Sequence, residues 1–370
     1  MRNKGGWNHG STAAAMLALL LCLDGIAEVN SQTQKVPAMF AFGDSLLEVG
    51  NNNFLNTIAR SNYYPYGIDF NGGSTGRFSN GRSLIDFFGA MLGVPSPPPF
   101  ADPSTTGARI LSGVNYASAA SGILQESGRH YGDRYSLGQQ VQNFENTLNQ
   151  YRTMMNTTAL NQFLAKSLTV VVTGNNDYIN NYLLPGLYGT SYNYTTQQFG
   201  NLLADSLVRQ VLTLHRLGLR KFFVGGIGPL GCIPNLRATL LAPAGRCVDF
   251  VNQMVGTFNE RLRSMVDQLN KQYPDAIFAY GNTYRVLGDI LNNPAAYSFN
   301  VVDRACCGIG RNRGQLTCLP LQFPCIVRNQ YVFWDAFHPT ESAIYVFAWR
   351  AVNGPPDDSY PINIQQMVNI

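Results

Sequence analysis

The sequence predicts an α/β protein: a single-domain, three-layer α/β/α sandwich around a largely parallel sheet. Three observations predict it. Short apolar runs alternate with longer amphipathic stretches, and several of those runs stop at polar turns far apart in sequence. Neither an internal repeat nor a flexible linker divides the chain, and its 370 residues suffice for one large core.

The first buried strand is Val36 to Phe42, which ends abruptly in Gly43-Asp44-Ser45 before residues suited to start a helix. A Gly- and Asn-rich loop, 71 to 82, follows, and Ser83 is placed to cap a helix Leu84 to Leu92. Four prolines between Pro95 and Pro99 imply extended surface chain. Val114 to Ser118 reads as a short strand running into a small-residue turn at Gly122, and Gln139 to Met155 as a helix with apolar residues at helical spacing. The β-branched run Leu168 to Thr173 is the next strand and stops at Gly174-Asn175-Asn176-Asp177. Helix Gln197 to Leu217 then leads to strand Lys221 to Gly226. Helix Phe250 to Gln272 leads to strand Ala276 to Tyr280, and helix Thr340 to Val352 closes the series.

Composition narrows the functional class. Hydrophobic residues make up 45% of the chain and charged residues only 13%, about half the usual share of about 25%. Arg2 and Lys4, the apolar stretch Ala13 to Leu23, and the small residues Gly25-Ile26-Ala27 read as a secretory signal peptide over residues 1–27, too short to span a bilayer. Its removal takes Arg2, Lys4 and Asp24 from 26 basic and 22 acidic side chains and leaves a charge of about +3. With no basic run, neither a nucleic-acid partner nor an anionic membrane surface is implied, and no second stretch is long enough for a transmembrane segment. Six cysteines then remain, Cys232, Cys247, Cys306, Cys307, Cys318 and Cys325. An even number in a secreted chain reads as three disulfides with connectivity open. No Cys-x-x-Cys pair suggests a metal site, and no metal or cofactor is expected. Asn156-Thr157-Thr158 and Asn193-Tyr194-Thr195 are glycosylation sequons at Asn156 and Asn193.

A serine delivered at the C-terminal end of a buried strand is how α/β enzymes expose a nucleophile. Ser45 stands there, although Gly-Asp-Ser alone is also an ordinary capping turn. Elimination isolates its partner. Among four histidines, His9 lies in the signal peptide, and His215 shares a helical stripe with Val208, Val211 and Leu212, which makes it a packing residue. His130 sits in a polar loop. His338 follows Asp335 by three residues and precedes Pro339, so carboxylate and imidazole can meet on one side of a turn. A carboxylate on one ring nitrogen leaves the other free to deprotonate a hydroxyl. The rival nucleophile Ser74 matches Gly-x-Ser-x-Gly, but no buried strand precedes it and no helix follows directly. Seven tyrosines (Tyr63, Tyr64, Tyr66, Tyr182, Tyr188, Tyr192 and Tyr194) either line an acyl or aromatic pocket or pack half-buried.

Four blocks in order carry a resemblance: Phe42-Gly43-Asp44-Ser45, Gly113-Val114-Asn115-Tyr116-Ala117-Ser118-Ala119-Ala120-Ser121-Gly122, Gly174-Asn175-Asn176-Asp177, and Trp334-Asp335-Ala336-Phe337-His338-Pro339-Thr340-Glu341. Over roughly residues 36–353 the chain resembles the secreted plant type of the GDSL esterase/lipase family in the SGNH hydrolase superfamily. The resemblance implies that residues 28–370 form one hydrolase domain. It implies Ser45 as nucleophile, His338 as general base and then acid, and Asp335 as the residue that orients it. The N–H groups of Ser45 and Gly122 and the Asn176 amide would form the oxyanion hole. The chain departs from the family pattern in having Glu48 where Asp is usual and Ala119 where Gly is frequent. Arg77 to Arg82 resembles a recurrent structural loop. The expected activity is a secreted, glycosylated serine esterase or lipase that acts on small-molecule, lipid or cell-wall esters without a cofactor, in the cell wall and apoplast or in the vacuole. An acyltransferase working through the same acyl-enzyme is the alternative enzyme, and a catalytically silent secreted binding protein the alternative from another class.

Overall fold

The computed structural model describes residues 35–370; the expected signal peptide, and residues 28–34 of the expected domain, lie outside the described residues. In chain order the main elements are β1 (Met39–Gly43), α1 (Leu84–Leu92), α2 (Leu137–Met154), α3 (Thr157–Lys166) and β2 (Leu168–Val172). They continue with α4 (Thr196–Arg216), β3 (Lys221–Gly225), α5 (Asp249–Gln272), β4 (Ile277–Gly281), α6 (Thr283–Asn292), β5 (Val301–Ala305) and β6 (Tyr331–Phe333). The series ends with α7 (Glu341–Asn353), β7 (Ser359–Tyr360) and α8 (Ile364–Val368). The central sheet has the order β1-β2-β3-β4-β7, with β1 to β4 parallel and β7 antiparallel at the edge.

The two-residue period of the strands sorts their side chains into two layers. Phe40, Phe42, Val171, Phe222, Val224 and Phe278 pack with α2, α4 and α5 on one face. Met39, Ala41, Val170, Val172, Phe223 and Ala279 pack with α1, α7 and α8 on the other. Both faces are covered, which is why these strands read as continuous apolar runs and not as alternating ones. Ser83 caps α1 as its position suggests, its N–H donating to Asp86 at 2.8 Å. Asp86 also holds Arg77 through two bonds of 2.7 and 2.8 Å, so the Arg77 to Arg82 segment is a structural loop tied to α1.

Two expectations change. Val114 to Ser118 does run beside β1, with Tyr116 N–H on the Ala41 carbonyl and Ser118 N–H on that of Gly43, but only Asn115 forms ladder bridges. Asn115 turns its side chain onto its own backbone, accepting from Ala117 N–H and donating to Leu47, and this competes with a regular strand. No α-helix starts at Ser45 either. Glu48 is fully buried, and its carboxylate accepts the N–H groups of Gly50 and Asn51, which turns the chain back at Gly50 (φ +145°).

The register places Gly43, Val172, Gly225 and Gly281 abreast at the C-terminal ends of the four parallel strands. Gly43 has φ +147°, and a Cβ there would stand 1.9 Å from the Val172 carbonyl oxygen, so only glycine fits beside β2. The three disulfides are Cys232–Cys247, Cys306–Cys325 and Cys307–Cys318. The last two pin the segment between β5 and β6 beneath Tyr66, Phe78 and Trp334.

Candidate active site

Loops leaving those aligned strand ends converge on a cavity of about 170 Å³. Ser45 comes from the end of β1, Asn175 and Asn176 from β2, Gly228 and Pro229 from β3, and Thr283 from β4. This is where open parallel sheets bind ligands, because the crevice lies beyond the carboxyl ends of the strands. Ile58, Tyr131, Ile179, Leu230, Ile233 and Leu287 supply an apolar wall.

At the mouth, Ser45 Oγ lies 2.7 Å from His338 Nε2. His338 Nδ1 is 2.9 Å from both oxygens of Asp335. Asp335 Oδ1 also accepts the N–H groups of Phe337 and His338 at 2.8 and 2.7 Å, and Oδ2 accepts the Tyr66 hydroxyl at 2.6 Å. Asp335 is fully buried, which by itself raises its pKa. The His338 charge and these hydrogen bonds outweigh that and hold it below the usual carboxylate range. Phe78 covers the imidazole at 4.9 Å between ring centroids.

The neighbouring turns are fixed by buried polar side chains. Gln140 brackets Gly43, accepting its N–H at 2.7 Å and donating to its carbonyl at 2.8 Å. Asp177 accepts from Ile123 N, Leu124 N and Ser127 Oγ, clamping the 121–127 turn against the Asn175–Asn176 turn. Asn176 donates one Nδ2 hydrogen to the Ser121 carbonyl at 2.9 Å and accepts from Asn180 at 2.6 Å, so its amide orientation is set and its second N–H is uncommitted. Gly122 does not line the cavity. It faces Asp177, where a Cβ would stand 2.5 Å from Oδ2. Ala120 lines the cavity in its place, in the left-handed region at φ +61°. The N–H groups of Ser45 and Ala120 meet no acceptor among the described residues.

The other candidates fall elsewhere. Ser74 donates to the Tyr66 carbonyl and does not line the cavity. His215 is buried, 3.2 Å from Asp275 and packed on Tyr273, a structural residue as its helical stripe implies. His130 is exposed, with Nδ1 on the Tyr188 hydroxyl. Of the seven tyrosines only Tyr63 and Tyr66 line the cavity, and Tyr131, not singled out, joins them. Asn156 and Asn193 are both exposed, and Asn156 caps α3 through Oδ1. The sequence singles out Tyr66 only as a pocket or packing tyrosine, not as a partner of Asp335, and assigns no role to Gln140 or Asp177, although Asp177 closes the Gly-Asn-Asn-Asp block.

Burial pushes three carboxyls of this shell upward: Asp44 to about 6, Glu48 to about 7 and Asp177 to about 6. An acid whose folded-state pKa is raised holds its proton in the native state when the unfolded chain has lost it. Stability therefore falls as pH rises through that interval. The thermal midpoint is expected to drop between pH 4.5 and 7.5, with Glu48 alone contributing on the order of 3 kcal/mol. Thermal unfolding followed across that range should show the slope, and Glu48→Gln should flatten it; a slope of opposite sign would overturn this account.

Residues 39–348 match the GDSL-like Lipase/Acylhydrolase family. A GDSL esterase/lipase of Arabidopsis thaliana is 63% identical over 340 residues, covering 92% of this chain and 91% of the relative. A second from the same plant is 52% identical over 353 residues, covering 94% and 92%. GDSL esterase/lipase 7, also from Arabidopsis thaliana, is 45% identical over 365 residues, covering 96% and 100%.

Proposed function

Because the chain belongs to the plant GDSL esterase/lipase family of the SGNH hydrolase superfamily and is a carboxylic ester hydrolase, we propose a mechanism in which Ser45 is the nucleophile. The continuous Asp335–His338–Ser45 hydrogen-bond chain at the mouth of an apolar cavity carries this reading. Ser45 Oγ attacks the ester carbonyl as its proton passes to His338 Nε2, and Asp335 stabilises the imidazolium that forms. The carbonyl oxygen, now an anion, receives the N–H groups of Ser45 and Ala120 and the free Nδ2 hydrogen of Asn176. His338 then gives its proton to the departing alcohol, leaving an acyl-serine. A water molecule, deprotonated by the same nitrogen, cleaves that acyl group and restores the enzyme.

Asn176→Ala removes one oxyanion donor and should lower kcat by about 10²–10³-fold with little change in KM, because the donor acts chiefly on the transition state. Steady-state kinetics on p-nitrophenyl butyrate would check it; an effect confined to KM would remove Asn176 from the oxyanion hole. The apolar wall favours an apolar acyl group. At about 0.8 kcal/mol per buried methylene, butyrate should exceed acetate by roughly 15-fold in kcat/KM. Equal rates on the two esters would mean that the cavity does not hold the acyl chain. The signal-like segment 1–27, the exposed sequons and three disulfides support a secreted, glycosylated protein of the cell wall or vacuole.

A further inference from the structure

A second cavity, about 350 Å³, opens between the turn at residues 242–246 and the 310–313 turn, and it shares no lining residue with the ester site. Its charged lining is Arg237, Arg246, Arg304, Arg311 and Arg313 against one carboxylate, Asp303. That is an excess of four positive charges, against a charge of about +3 for the whole chain once residues 1–27 are removed. A protein with an otherwise balanced surface has gathered its charge imbalance into one concave place, where low-dielectric walls focus the field.

Three of the guanidinium groups are held there by neutral partners. Arg237 is buried, and its donors go to the carbonyls of Cys232 and Arg246 and to Cys247 Sγ. Arg311 donates to the Ala242 carbonyl and Arg313 to that of Cys306. Among the described residues none of these three has a carboxylate in hydrogen-bond contact. Arg304 pairs with Asp303 and Arg246 with Asp249, each at 3.2 Å and largely in solvent, where such pairs hold weakly. The walls are pre-organised: Cys232–Cys247 closes one side and Cys306–Cys325 anchors the other. Asn312 and Arg313 both occupy the left-handed region, at φ +53° and +48°, a conformation that costs energy for non-glycine residues and persists where surroundings impose it.

We propose that this cavity binds a multivalent oxyanion, carboxylate or phosphate, independently of ester hydrolysis. Guanidinium groups match both anions through paired N–H donors, and unneutralised arginines in a rigid concavity repel one another until an anion enters. Calorimetric titration of the full mature protein in 50 mM salt tests this with trigalacturonate, inorganic phosphate, and maltotriose as the neutral, ester-free control. Trigalacturonate or phosphate should bind and maltotriose should not. Binding by only one of the two anions assigns the source of the oxyanion. Arg246→Gln/Arg304→Gln, which alters only exposed side chains, should weaken binding at least tenfold, as should Arg311→Gln/Arg313→Gln. If the latter variant unfolds, the former alone decides. Hydrolysis of p-nitrophenyl butyrate should be unchanged in the exposed pair, so failure of this proposal and failure of the Ser45 mechanism are separate results. Absence of binding by either anion, or equal binding by wild type and the exposed pair, overturns it.

Discussion

Ser45→Ala should lower kcat for ester hydrolysis by about 10⁵-fold, a loss of roughly 7 kcal/mol of transition-state stabilisation. The size follows from the geometry. Ser45 Oγ is the group facing His338 Nε2 at 2.7 Å, and without it His338 has no hydroxyl to activate. The folded state should hardly change, because the hydroxyl is half-exposed and this is its one protein hydrogen bond among the described residues. An unaltered thermal midpoint together with lost turnover therefore separates a chemical role from a structural one. Ser74→Ala serves as the internal comparison, since Ser74 is bonded to the Tyr66 carbonyl outside the cavity and should retain activity. Activity within tenfold of wild type in Ser45→Ala would end its candidacy as nucleophile.

What the sequence disclosed and what it concealed divide along a physical line. Periodicity is local, so the four parallel strands and the helices α1, α2, α4, α5 and α7 were legible from apolar spacing to within a few residues. Asp335 and His338 were legible because three residues in a turn suffice to bring them together. Contacts made by the fold were not. Tyr66 reaches Asp335 across 269 positions and Gln140 reaches Gly43 across 97, and no local pattern announces either. Disulfide pairing was hidden for the same reason. The cavity position of Ala120 was hidden for a different reason: left-handed backbone favours glycine, yet an alanine holds that conformation at the cavity, while Gly122 faces Asp177.

The same long-range contact sets up the second large effect. Asp335→Asn should reduce kcat by on the order of 10⁴-fold, although it exchanges a single oxygen for an amide nitrogen. Asp335 Oδ1 accepts two backbone N–H groups, which in the variant would hold the amide oxygen in place and turn the NH₂ toward Tyr66 and His338. An NH₂ donor facing Nδ1 favours the imidazole tautomer that carries its proton on Nε2, and that nitrogen can no longer take the proton of Ser45. The buried carboxylate charge that stabilises the imidazolium is lost as well. Tyr66→Phe supplies the contrast. It removes one hydrogen bond from Asp335 but preserves charge and tautomer, so a loss of about tenfold is expected. Equal losses in the two variants would mean that Asp335 acts by holding the turn together and not through its charge on His338.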